Sequence, residues 1–328
     1  MRDHSWWLTN AVESIVEELQ KSRDIVGRSR ELHSALIAAG AGKHILLEGP
    51  VGVGKTTIAL AVSSHLQRDF IRIDGDERYT EQKLAGWYDP PLVLAKGYTG
   101  ESFIHGPLSR SMTGGSILLI NELNRMPEGT QNVMLTAMDE HAILIPKYGS
   151  VRAEEGFMII ATQNPDEYIG TSQLSEALRD RFVCIDLDYQ SEEEERRIVE
   201  LRSRCENEDI IDVSVDFCRQ TRHEEEIRRG SSIRGAIDLA DIFFTAHGRF
   251  SDDLEPWIEA AGLAFLTKVE LHDFSKQKFH ELLKRIAIHA LSLHGQRKAG
   301  GPSGTAAPQG RPAPDAEALE RFKKKRND

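Results

Sequence analysis

Residues 44–57 read His44-Ile45-Leu46-Leu47-Glu48-Gly49-Pro50-Val51-Gly52-Val53-Gly54-Lys55-Thr56-Thr57. An apolar run of strand character leads into a glycine-rich loop that fits G-x-x-x-x-G-K-[ST], and an Ala- and Leu-rich helical pattern follows it. Strand, loop and helix in that order are the setting a phosphate loop needs. The glycines allow a tight turn whose N–H groups point inward, and the helix dipole adds positive potential at the same place. Lys55 is placed to reach the outer phosphates and Thr56 to ligate Mg2+. The expected nucleotide contacts are Gly49, Pro50, Val51, Gly52, Val53, Gly54, Lys55, Thr56 and Thr57, and the expected cofactors are ATP and Mg2+.

Outward from the loop, four more apolar runs recur: Phe70–Ile73, Ser116–Ile120, Phe157–Ala161 and Val183–Leu187. Five such runs separated by helical patterns predict a five-stranded parallel sheet covered on both faces, an αβα domain over about 24–188. From 189 to 296 the pattern turns helical, with helices expected around Arg234–Ala246, Leu254–Val269 and Lys276–Leu293, so a smaller all-helical lid is predicted. Ser191 and Glu194 form a capping box that opens this part, and the acidic run Glu192–Glu195 suits the first helical turn. Residues 1–23 hold an amphipathic helix over Trp6–Lys21. Between Ala299 and Pro314 stand four glycines and four prolines, so 297–328 reads as a disordered linker and basic tail.

The 328 residues carry a formal charge of -11, which argues against nucleic acid as a partner because phosphate neutralisation needs a basic surface. Residues 297–328, with eight Lys or Arg and four Asp or Glu, run against that trend at net +4. No window approaches the ~18 apolar residues of a membrane helix, and no leader pattern opens the chain, so a cytoplasmic location is expected. Cys184, Cys205 and Cys218 lack the spacing of zinc or disulfide frameworks and read as buried free thiols. The twelve histidines form no H-E-x-x-H pattern, and His280, His289 and His294 read as ordinary lid residues. No Asn-Lys-x-Asp element for reading guanine occurs, so adenine is the expected base.

The run Ile117–Ile120 ends in Asn121-Glu122. Glu122 is suited to polarising an attacking water. Asn121 stands where a second metal contact is needed; it accepts hydrogen bonds from a metal-bound water but attracts the ion less than a carboxylate would.

Taken in order, Val26-Gly27-Arg28, Gly106-Pro107-Leu108, Asn121-Glu122-Leu123-Asn124-Arg125, Ala161-Thr162-Gln163-Asn164-Pro165 and Glu176-Ala177-Leu178-Arg179-Asp180-Arg181-Phe182 resemble the MoxR group of AAA+ ATPases over roughly residues 24–250. The departures are Asn121, where the group carries Asp, and the additional basic residue Arg179. The resemblance implies that Asn164 is a sensor orienting the attacking water, although Asn-Pro also starts turns. It implies that Arg181 is an arginine finger reaching a neighbouring subunit's nucleotide, with Arg179 in reserve. Arg234, within Gly230-Ser231-Ser232-Ile233-Arg234-Gly235, takes the place of the lid sensor. A hairpin is implied near Trp87–Gly106, where Tyr98 reads as turn packing.

The resemblance also implies a homo-oligomeric ring, usually a hexamer, that remodels, matures or inserts a metal cofactor into a protein target with a von Willebrand factor A domain partner. Two other classes remain open: a nucleotide-gated regulatory protein that hydrolyses weakly, and a DNA helicase, which the acidic charge disfavours.

Overall fold

The structure, a computed structural model, describes residues 5–165 and 174–299, with side chains from Val12 onward. Among the described residues, nine strands precede the helical part: β1 (His44–Glu48), β2 (Phe70–Asp74), β3 (Gly86–Tyr88), β4 (Phe103–His105), β5 (Ile117–Asn121), β6 (Ala142–Ile145), β7 (Gly149–Arg152), β8 (Met158–Gln163) and β9 (Phe182–Asp186). Five of them form one sheet in the order β2-β5-β8-β1-β9, all parallel.

Burial along these strands follows from their place in the sheet. β1 and β8 are buried throughout, as is β5 apart from its last residue, and each is built on an apolar run; the edge strands β2 and β9 are partly exposed. Alternate residues supply separate cores on the two faces. Leu46, Leu118, Ile120, Ile159 and Ala161 pack on one face, whereas Ile45, Leu47, Ile117, Leu119 and Ile160 pack on the other. His44 opens β1 as a neutral ring: its Nδ1 accepts the Ile159 N–H at 2.9 Å, and burial lowers its pKa to about 4.

The helix Ser5–Ser22 packs Val16 and Leu19 against the core of the second face, beside the helix Ser29–Gly40. A hairpin does interrupt the stretch after β2: β3 and β4 pair antiparallel, and Tyr98 meets Tyr88 edge-on at 4.9 Å while Lys147 lies 3.6 Å over its ring. A second antiparallel hairpin, β6–β7, was not foreseen from the sequence.

From Tyr189 to Ala299 the chain is mostly helical around a core that stacks Phe243 on Trp257 at 3.8 Å and Phe217 on Phe265 at 5.1 Å. Three expectations need correction. The lid is not purely helical, since Ile227–Arg229 pairs with Glu270–Leu271. Cys205 and Cys218 are buried, but Cys184 is exposed because β9 is an edge strand; burial of its sulfur and a hydrogen bond to Glu48 push its thiol up to about 12. Finally, the last helix runs to Ala299, past the expected boundary at 296, and Arg297 pairs with the buried Asp216 at 2.6 Å and with Glu192 at 2.7 Å. The remainder of the expected tail lies outside the described residues.

The Arg297 pair sets a stability test. Relative to a chain ended after Ala299, one ended after Gln296 loses about 2 kcal/mol of unfolding free energy near neutral pH, less than for a wholly buried pair because Arg297 is partly solvated. Burial already raises the Asp216 pKa, and loss of the guanidinium raises it further. The penalty is therefore present above the folded-state pKa and fades as acid neutralises the carboxyl group. Denaturant titrations of both chains at neutral and mildly acidic pH check the size and the sign.

Candidate functional site: a cleft over the phosphate loop

The carboxyl ends of parallel strands are where an open α/β sheet binds ligands. Here the ends of β5 and β8 face the loop that leaves β1, and a cleft of about 550 Å3 opens between them and the first lid helices. The loop enters the helix Lys55–His65 through Gly54 at φ 96°, a left-handed conformation that favours glycine. Gly52 has a second constraint: a Cβ there would come within 2.4 Å of the Ser232 side chain, so the lid rests directly on the loop. Lys55 Nζ donates to the carbonyls of Gly49 at 2.5 Å and Pro50 at 2.7 Å.

Asn121 occupies the centre. Its Oδ1 accepts from Thr56 Oγ1 and from Thr162 Oγ1, both at 3.0 Å. Thr162 Oγ1 in turn accepts the Glu122 N–H at 3.0 Å. Glu122 sits at φ 57°, ψ 55°, a conformation that turns the chain sharply at the end of β5, and its carboxylate lies 2.9 Å from Arg125 Nε. Asn164 is buried at the end of β8, where its carbonyl accepts from Asn124 Nδ2 at 3.3 Å. Arg234, on the helix Ile233–His247, is exposed, lines the cleft and makes no hydrogen bond or ion pair among the described residues.

Val51 through Thr57, Asn121, Glu122, Asn164 and Arg234 thus meet around one space. Gly49 and Pro50 lie just before it. Arg181 does not enter this cleft: its Nε donates to both Asp139 carboxylate oxygens at 2.7 and 2.8 Å. Arg179 is also turned elsewhere, onto Glu48 at 2.8 Å. Hard oxygen donors suit Mg2+, and the Thr56 hydroxyl and the Asn121 amide oxygen provide two side by side. These residues fit the ion. Among the described residues, no cluster of three or more His, Cys, Asp or Glu could hold a metal on its own.

Residues 44–182 match a family described as AAA domain, dynein-related subfamily. YojN of Bacillus subtilis is 31% identical over 217 residues, covering 64% of this chain and 70% of its own. The chain belongs to the AAA+ P-loop ATPases. A Staphylococcus haemolyticus relative is 30% identical over 206 residues, 61% of this chain and 78% of its own. A variant of Thermotoga maritima RuvB shares the fold, with a TM-score of 0.51 at 18% identity over 91% of this chain and 96% of its own. No described helix is long and apolar enough to cross a membrane.

Two residues of this AAA+ site escaped the sequence reading. Thr162 joins β5 to β8, and its only signal is a hydroxyl at the end of an apolar strand. Arg28, at φ 62°, donates to the carbonyls of Val53 at 2.8 Å and Asp188 at 2.7 Å, clamping the phosphate loop to the exit of β9. Its signal is Val26-Gly27-Arg28, ahead of β1, part of the family resemblance.

The Glu122 geometry generates a kinetic expectation. Glu122→Gln keeps nucleotide binding and loses about 10²-fold or more in turnover, the usual contribution of a general base. Arg125→Ala, by releasing the carboxylate from its ion pair, raises basal turnover about 2–5-fold, the equivalent of a partly exposed pair of ~0.5–1 kcal/mol. Steady-state phosphate release with parallel nucleotide-binding titrations checks both.

Proposed function

We propose that this protein is a ring-forming, Mg2+-dependent ATPase of the MoxR type. The observation that carries the reading is the convergence of Lys55, Thr56, Asn121, Glu122 and Asn164 on one cleft while Arg181 faces away from it. A phosphate loop, a metal-side hydroxyl, a water-polarising carboxylate and a polar strand-end amide are the parts ATP hydrolysis needs. Ile25, Ile198 and Ile237 offer the cleft an apolar wall against which a flat base can lie.

Thr56 and Asn121 would hold a Mg2+ ion, which would supply charge neutralisation for the phosphates. The protein's own contribution is position and proton handling. Thr56 and Asn121 hold the metal side, Lys55 turns from its own loop carbonyls to the outer phosphates, and Glu122 takes the proton of the attacking water. Asn164 orients that water, and Arg234 closes the lid over the phosphates.

Arg181, absent from its own cleft, serves the neighbouring subunit, which makes the ring a requirement for turnover. By the same family resemblance the ring is a hexamer, and it acts in the cytoplasm. It remodels, matures or inserts a metal cofactor into a protein target, with a von Willebrand factor A domain protein as partner. A nucleotide-gated regulator is the second reading, favoured by the Glu122–Arg125 ion pair, which restrains the base.

A subunit-mixing experiment tests the ring. Lys55→Ala loses nucleotide binding, whereas Arg181→Ala keeps binding and loses most turnover through lost stabilisation of transition-state charge. Each variant alone is inactive. Mixed, they create interfaces with an intact phosphate loop on one side and an intact Arg181 on the other, and turnover partly returns as the ratio is varied. Light scattering establishes that mixed rings form; mixed rings without activity refute Arg181 acting in trans.

A further inference from the structure

The end of β2 places a carboxylate beside the metal side of the cleft that the site as described does not use. Asp74 stands opposite Asn121 in the parallel register, and Asn121 Nδ2 donates to Asp74 Oδ1 at 3.0 Å. The backbones are closed together at the same point. The Gly75 N–H donates to the Asn121 carbonyl at 2.7 Å, and a Cβ on Gly75 would come within 2.0 Å of the Glu122 carbonyl oxygen. Asp74 is therefore held against the Asn121-Glu122 pair by one side-chain and one main-chain hydrogen bond and by the close approach of Gly75 to the Glu122 carbonyl.

The chemistry of that contact fixes the amide. An ionised carboxylate accepts hydrogen bonds and donates none, so Asn121 can meet Asp74 only through its NH2 group. Hydroxyls donate or accept, and Thr56 and Thr162 alone would tolerate either face of the amide. Asp74 thus decides that the oxygen, not the nitrogen, is turned to Thr56. A carboxylate at position 121 would instead set two acceptors face to face at about one hydrogen-bond length, whereas the Asn121 amide meets Asp74 with a donor.

We propose that Asp74 and Asn121 form one unit in which the metal site's negative charge has been moved from β5 to β2. Asp74 is a positioning residue: it orients the Asn121 amide so that its oxygen faces the Mg2+ side, and it supplies negative potential next to the ion's water shell. Asp74 Oδ1 takes both the Asn121 amide and an exposed ion pair with Arg72 at 3.1 Å, which offsets part of its charge, while Oδ2 makes no hydrogen bond among the described residues. Mg2+ keeps several waters when a protein binds it, and an acceptor in its outer shell is of use for that reason. The inference rests on the cleft being a Mg2+–nucleotide site.

The test reads metal binding, not turnover. Mn2+ affinity is measured by electron paramagnetic resonance on the full chain with saturating ADP, for the wild type, Asp74→Asn and the exchange Asp74→Asn/Asn121→Asp. ADP binding in EDTA, which needs no metal, reports that each variant is folded. Asp74→Asn should weaken Mn2+ binding about tenfold, the scale of an outer-shell acceptor. The exchange, which returns the charge to β5, should restore most of that loss while ADP affinity in EDTA stays constant. Mn2+ affinity unchanged in Asp74→Asn, or no recovery in the exchange, overturns the unit. A wild type that binds no ADP in EDTA or Mg2+ overturns the nucleotide-site reading itself, which separates the two failures.

Discussion

The amide of Asn121 is the point on which the cleft depends. Its oxygen receives two hydroxyls at 3.0 Å, one from the first turn of the helix after the phosphate loop and one from β8. β8 lies between β5 and β1 in the sheet, so a single side chain at the end of β5 reaches over its neighbour strand to the loop that leaves β1. If that oxygen were absent, two hydroxyls would compete for water in a partly closed space, and the loop would have no fixed distance from Glu122. The sharp turn at Glu122 is set by the same group, because its N–H is held by the Thr162 hydroxyl that Asn121 accepts from.

The sheet makes this possible through its order. β1 and β5 diverge in sequence but bracket β8, and the buried alternation of their residues locks the register: Ile120 stands opposite Ala161, and Leu47 opposite Thr162. A slip of one residue would move every apolar side chain to the other face, and it would also carry Thr162 away from Asn121. The packing of the two cores therefore maintains the position of a few polar atoms at one edge, and Arg28 adds a second tie from the opposite side of the loop.

What was legible in the sequence was whatever repeats locally. Five apolar runs predicted the five strands of the sheet, Ser191 and Glu194 form the predicted capping box, and the loop glycines stand in left-handed geometry at Gly52 and Gly54. The rest depends on residues distant in sequence. Asn121 gathers partners from positions 56, 74 and 162, and no periodicity links them. The β6–β7 hairpin hid for a different reason: Leu144 points to solvent with 80% of its surface exposed between buried Ile143 and Ile145, so the run alternates in burial but not in the polarity by which a half-buried strand is recognised. Cys184 shows the same limit, since whether a residue near the end of an apolar run is covered depends on whether its strand is interior or at the edge.

The anchoring of the last helix has a mechanical meaning. Arg297 joins that helix to Glu192, in the first helix after the sheet, and to Asp216 in the next, while Lys298 reaches Asp209 at 2.7 Å. The end of the last helix is thus riveted to the opening helices of the lid and, among the described residues, has no such tie to the sheet. Any swing of the lid over the phosphate loop displaces that end as a lever arm displaces its tip. A binding partner or label attached beyond it would travel with the helical part, and its distance from the sheet would register the state of the cleft.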